Sequence, residues 1–240
     1  MTSTLSATRA VAMREFASYF RVPLGWVVIA LFTLLSGVLF AITLEPGAPA
    51  SLRAFFGLAT WTMLFVAPAV SMRLLSEEAR AGTLEILTTS PVTSASVALG
   101  KYLGACGFLV AMLAPTLVYV GALEAVADPD YGPVLSGYLG LLLSGMVYLA
   151  VGLLASALTA SQTSAFLGCL FTLLLLRIGS LQGGSLPEPW SDLAFALSLD
   201  LRVEDFAKGV VDLGGVAFFL AASMWFVALA GVALEARRWR

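Results

Sequence analysis

The chain has 240 residues, 60% of them hydrophobic and only 12% charged, with a formal net charge of −2 and no histidine. A mean hydropathy of +0.95 excludes an ordinary soluble domain and a basic nucleic-acid binder, and the missing histidine removes any Ser-His catalytic pair. Cys106 and Cys169 each fall in an apolar run and read as small buried residues, not as a disulfide or metal framework.

Residues 8–21 read as an amphipathic helix. At 100° per residue, Ala12, Met13, Phe16, Tyr19 and Phe20 share one arc, while Arg14, Glu15, Ser18 and Arg21 share the other. Val11 falls on the polar arc. Such a helix is expected to lie in a membrane interface, with Arg14, Phe16, Phe20 and Arg21 at the headgroup level.

Five uncharged runs follow, at residues 22–44, 54–72, 102–123, 131–176 and 213–234. Each is long enough for a helix to cross about 30 Å of hydrocarbon, and the fourth holds two spans joined by the turn at residues 159–164. No alternating barrel pattern is present, so the fold class is an all-α integral membrane protein with six spans. The spans are placed at about 22–44, 54–75, 95–123, 133–158, 162–178 and 210–234 within a single domain covering residues 1–240. Pro23 opens the first span, where its missing N–H is harmless. The first span is too long for the apolar core of a cleaved signal, and no cleavage site follows it.

The connections differ in kind. Residues 45–49 and 128–130 are short turns. Residues 180–209 are expected to form an outer re-entrant or interfacial segment, with an N-capped short helix near residues 191–197 and Trp190 as its anchor. Arg177, at the end of span five, is expected to snorkel to water. Gly100-x-x-x-Gly104 and Gly140-x-x-x-Ser144 are small-residue ridges suited to close helix contact, within one chain or between two.

Lysine and arginine set the topology. One side holds Arg9, Arg14, Arg21, Arg73, Arg80, Lys101, Arg237, Arg238 and Arg240, and the other Arg53, Arg177, Arg202 and Lys208. That asymmetry puts both termini in the cytoplasm. The stretch at residues 73–101 is then cytoplasmic. Ser76, Glu77 and Glu78 extend span two, with Arg73 at the membrane edge. Gly82 ends that helix and Thr83 caps a short one, with Glu85 in its first turn. Pro91 stops it, and Thr93 or Ser94 caps span three. Leu84, Ile86 and Leu87 beside three acids on a short surface helix point to docking on a partner. No phosphate-binding GxxxxGK[ST] loop occurs, since Gly100-Lys101 is followed by Tyr102 and lacks the earlier glycine. No acid lies at the centre of a span and no internal repeat is visible, which disfavours an ion-coupled secondary transporter.

Arg73, Glu77-Glu78, Gly82-Thr83-Leu84-Glu85, Leu87, Ser90-Pro91-Val92 and Gly100-Lys101 resemble the cytoplasmic loop of ABC-2 type permeases, the membrane subunits of ATP-binding-cassette exporters. Within that family the chain looks most like the gliding-motility-associated and copper-enzyme-maturation permeases, which share the segment 204–213 and a terminal Arg-Arg-Trp. Those permeases often carry a histidine ahead of the residue matching Phe206, and this chain has none. The resemblance implies that residues 83–89 form a coupling helix seated on a separate ATPase, within a coupling loop at 76–94. Glu77, Glu78, Arg80, Gly82, Thr83, Leu84, Glu85, Ile86, Leu87 and Pro91 would carry that contact, the two glutamates pairing with basic groups on the ATPase or on the interfacial helix. Arg73 and Lys101 would flank the loop at the membrane edge. It further implies that this chain is no enzyme and holds no cofactor, ATP and Mg being bound by an ATPase dimer. A second permease chain, identical or related, completes the pathway, membrane lipids surround it, and a periplasmic or membrane accessory protein can join. A bacterial inner-membrane location follows. A membrane anchor that recruits an ATPase for mechanical or assembly work without transport is the rival reading, because it needs the same loop.

Overall fold

The computed structural model describes residues 4–43, 51–82, 93–125, 129–181, 187–188 and 190–238. Among these the structure is all-helical and holds six helices long and apolar enough to cross a membrane. In chain order the elements are α1 (Thr4–Arg21), α2 (Pro23–Thr43), α3 (Arg53–Ser71), α4 (Ser76–Ala81), α5 (Ser94–Leu113), α6 (Val118–Glu124), α7 (Tyr131–Leu158), α8 (Gln162–Leu181), α9 (Trp190–Ala196), α10 (Leu199–Ala207) and α11 (Leu213–Arg238).

The central helix is α7, with 72% of its best apolar window buried against 22% for α2 and for α8. Its small residues make this possible. A side chain added at Gly137 would strike the ring of Phe56, at Gly140 the Cβ of Phe206, and at Gly145 the side chain of Leu109. In a bilayer, where lipid offers no hydrophobic drive between helices, such close backbone approach is what holds spans together. The ridge at Gly140 therefore packs inside this chain, onto α10.

Span two is broken between α3 and α4. Pro68 lies inside the last turn of α3, where it has no N–H to give, and the chain turns through residues 72–75 before α4 begins. The freed backbone groups are satisfied from α7. The Ser156 hydroxyl accepts from the amides of Leu75 and Ser76, each at 2.9 Å, and donates to the carbonyl of Met72 at 3.0 Å. Gly152, one turn earlier, lets Ser71 sit directly on α7. Irregular backbone at this depth is tolerated because neighbouring protein supplies its partners.

Span three also changes character, passing through a 3-10 turn at Ala114–Leu117 where Pro115 interrupts the α-helical ladder. The 46-residue uncharged run holds two helices, α7 and α8, joined at residues 159–161, with the Ser161 hydroxyl accepting from the Ser164 amide.

Two regions differ from the sequence reading. The N-terminal helix buries Thr8, Glu15 and Tyr19, while Met13 points outward at 61% exposure. Its inner face is set by α5, where side chains added at Gly100, Gly104 and Gly107 would strike Val11, Glu15 and Phe16 respectively. The contacts advance together along both helices. The ridge at Gly100 and Gly104 thus seats α1, and Val11, off the apolar arc by sequence, faces Gly100. Glu15 is drawn inward by a buried lysine described below. The outer segment holds two helices instead of one. The second, α10, is capped by Ser198, whose hydroxyl accepts from the Leu201 amide at 3.3 Å, and it buries Val203, Phe206 and Ala207 against α7 and α3.

Candidate functional site

The charged residues around the start of the cytoplasm-assigned loop converge from three helices. Lys101, two turns into α5, is 2% exposed and holds Glu15 of α1 and Glu78 of α4, each at 3.0 Å. Glu78 also meets Arg14 of α1 at 3.3 Å. An ammonium taken out of water needs such partners, because uncompensated burial of a charge costs several kcal/mol. The four side chains carry two positive and two negative charges, so the cluster is neutral as a whole.

Beside it, Tyr19 stacks on Phe108 with ring centroids 4.4 Å apart and donates to the Val70 carbonyl at 3.1 Å. Burial raises its phenol well above the ordinary range, so it acts here only as a hydrogen-bond donor. Arg73 lies 4.6 Å above the same ring in a cation–π contact. Arg14, Glu15, Arg73, Glu78 and Lys101 ring an open cavity of about 380 Å³, lined also by Arg21 and Glu77.

The expected site residues separate into two groups. Glu78, Arg14, Lys101 and Arg73 are brought together as described; Glu77 and Arg80 are exposed on α4, Arg21 is exposed at the end of α1, and Phe16 and Phe20 pack edge to face between α1 and α5. Gly82 ends α4 in the left-handed region at φ +70°, as its C-cap role requires, and Thr93 caps α5 by accepting from the Ser96 amide at 3.2 Å. Thr83, Leu84, Glu85, Ile86, Leu87 and Pro91 lie outside the described residues. Lys101, expected to flank the loop at the membrane edge, is the buried centre of the cluster.

Sequence reasoning missed Glu15 and Ser156. Glu15 sits 86 positions from Lys101, and its only signal was a charge on the one face of α1 that also carries Val11. Ser156 looked like any small residue in an apolar span. Arg177 also departs from expectation. It is 8% exposed, stacks 3.7 Å over the Trp61 ring and pairs with Asp200 of α10 at 2.9 Å, so a partner helix covers it where snorkelling to water was expected.

Five apolar helices around a glycine-lined sixth, with a buried ion cluster at one end, define a multi-pass helical membrane protein. Among the described residues no group of three or more His, Cys, Asp or Glu side chains is placed to hold a metal ion. Residues 39–199 match the model of the ABC-2 family transporter protein, and the chain belongs to that family. It is accordingly a permease-type transmembrane subunit of an ABC transporter. No curated protein matches it.

Proposed function

We propose that two such permease chains form the substrate pathway of an exporter in a bacterial inner membrane, and that segment 76–94 of each couples it to a separate ATPase carrying ATP and Mg. The observation that carries this reading is the Lys101 cluster. It ties α4, the start of that segment, to α5, the helix leaving it, and to α1. A force applied between Gly82 and Thr93 is therefore delivered to two spans and to the N-terminal helix as one unit. Ser156 passes the same displacement to the central span. Rigid elements joined in this way suit transmission of ATPase closure to the pathway. Both termini lie in the cytoplasm in this reading, and by motif the chain resembles the gliding-motility and copper-enzyme-maturation permeases.

The test uses the full chain co-expressed with a candidate ABC ATPase from the same genome. Leu87→Asp or Glu85→Lys is expected to abolish co-purification of the ATPase, or to uncouple its ATP hydrolysis from the permease, with membrane insertion unchanged. An ATPase that co-purifies and hydrolyses ATP identically with both variants overturns the coupling role. Stimulated hydrolysis without any movement of cargo across proteoliposomes would instead fit the anchor reading.

A further inference from the structure

At the end of the bundle away from Lys101, an open cavity of about 400 Å³ lies between α3, α8 and α10. Its size falls in the range of small-ligand sites. The Arg177–Asp200 pair forms its floor, and that arginine is already held by its carboxylate and by Trp61. The mouth is different. Arg53, from the first turn of α3, and Lys208, at the C-terminal end of α10, approach it from two separate elements. Hydrogen bonding to Glu204 at 2.8 Å raises the Lys208 ammonium above its ordinary value, while Arg53 opposes that shift, so the two cations stand within Coulombic reach of each other. Among the described residues no ion pair joins Arg53 to an acid.

Lys208 is shared with Glu204 at 2.8 Å and Asp205 at 3.9 Å, but the lining as a whole sets Arg53, Arg177 and Lys208 against Asp200 and Glu204, so one positive charge is left over, at the end where Arg53 stands, and it favours an anion there. On the α3 side the wall carries Gly57 and Trp61, whose ring is stacked on one face by Arg177. Gly57 and Trp61 lie one turn apart on the same face of α3, and a side chain added at Gly57 would meet nothing within 4 Å, which leaves a clear track beside the indole. A charged mouth above an apolar track matches a molecule with an anionic head and a hydrocarbon tail better than it matches a small free anion.

We propose that this cavity binds the phosphate or carboxylate head of an anionic amphiphile, with Arg53 and Lys208 as the contacting cations and the Gly57–Trp61 face receiving the start of its chain. The inference is independent of the coupling role proposed above. The experiment places the full chain in phosphatidylcholine nanodiscs and titrates it calorimetrically with dihexanoylphosphatidic acid, dihexanoylphosphatidylcholine and inorganic phosphate. Phosphatidic acid should bind saturably to the wild type, at least tenfold more weakly to R53Q/K208Q, and with wild-type affinity to R53K/K208R. G57L, which fills the track and leaves both cations, should also weaken it at least tenfold. Equal binding of the neutral lipid, unchanged binding to R53Q/K208Q, or inorganic phosphate binding as tightly as phosphatidic acid would each overturn the proposal.

Discussion

Replacing Lys101 by methionine tests the charged cluster most directly. Methionine matches the length of the lysine stem and removes only the ammonium, which strands Glu15 and Glu78. The two are not equivalent. Glu78 keeps Arg14 at 3.3 Å and is the more exposed, whereas Glu15 is 8% exposed and its one recorded ion-pair partner is lost. Leaving one partner of a buried pair uncompensated costs about 3–5 kcal/mol, and most of the loss here belongs to Glu15. For a chain of this size that corresponds to a fall in melting midpoint of about 6–20 °C. The assay is thermal unfolding of the purified full chain in one detergent, comparing wild type, K101M, E15L and K101M/E15L. The double variant exchanges a buried pair for apolar side chains of similar volume and leaves Glu78 with Arg14, so it should return to within about 1 kcal/mol of the wild type. The reasoning is refuted if K101M melts within 2 °C of wild type, on the scale of about 2–4 °C per kcal/mol, or if the double variant is no better than K101M.

Three further outcomes are expected. Ser156→Ala leaves the amides of Leu75 and Ser76 without an acceptor and should cost about 2–5 kcal/mol by the same melting assay, with Ser156→Thr, which keeps the hydroxyl, losing less. Gly104→Ile should prise α1 from α5, because even a Cβ there meets the Ala12 carbonyl at 2.8 Å, and should lower the melting midpoint in the same assay, whereas Gly121→Ile, where an added Cβ meets nothing within 4 Å, should lower it less. Burial raises the Asp200 carboxyl above 3.8 despite Arg177, so the folded state keeps this proton where the unfolded chain has released it. That contribution to stability is fully present below pH 3.8 and is lost as pH rises through the folded value. The melting midpoint of wild type minus that of D200N should therefore fall as pH rises from 3.8, and a rising difference would contradict the shift.

The spans were legible because hydrocarbon thickness and backbone satisfaction leave few options, and charge-free runs of suitable length can hardly be anything else. The caps at Gly82 and Thr93 were legible for a similar local reason: a left-handed residue and a side-chain acceptor act on amides within three or four positions. What resisted reading was pairwise and distant. Helical periodicity assigned Glu15 to a polar arc because it counts faces of one helix, and it has no term for a lysine on another helix 86 positions away. Arg177 was assigned to water because α10, which brings Asp200 to it, was read as a run before the last span. The glycine ridges announced close packing correctly but not their partners, since the same small-xxx-small spacing serves a neighbour in the chain or a second copy.

The reliance of span two on Ser156 also bears on how this protein is made. Leu75 lies 81 positions ahead of the hydroxyl that accepts its amide hydrogen bond. At about 5–20 residues per second, ribosomes need roughly 4–16 s to deliver that partner. During that interval the kinked segment has no native acceptor for two of its amides, so it must wait in the insertion machinery or at a wetted edge of the bilayer. Maturation of the second span is thus deferred until the fourth arrives, and a truncation before residue 156 should yield a product that membrane quality control removes.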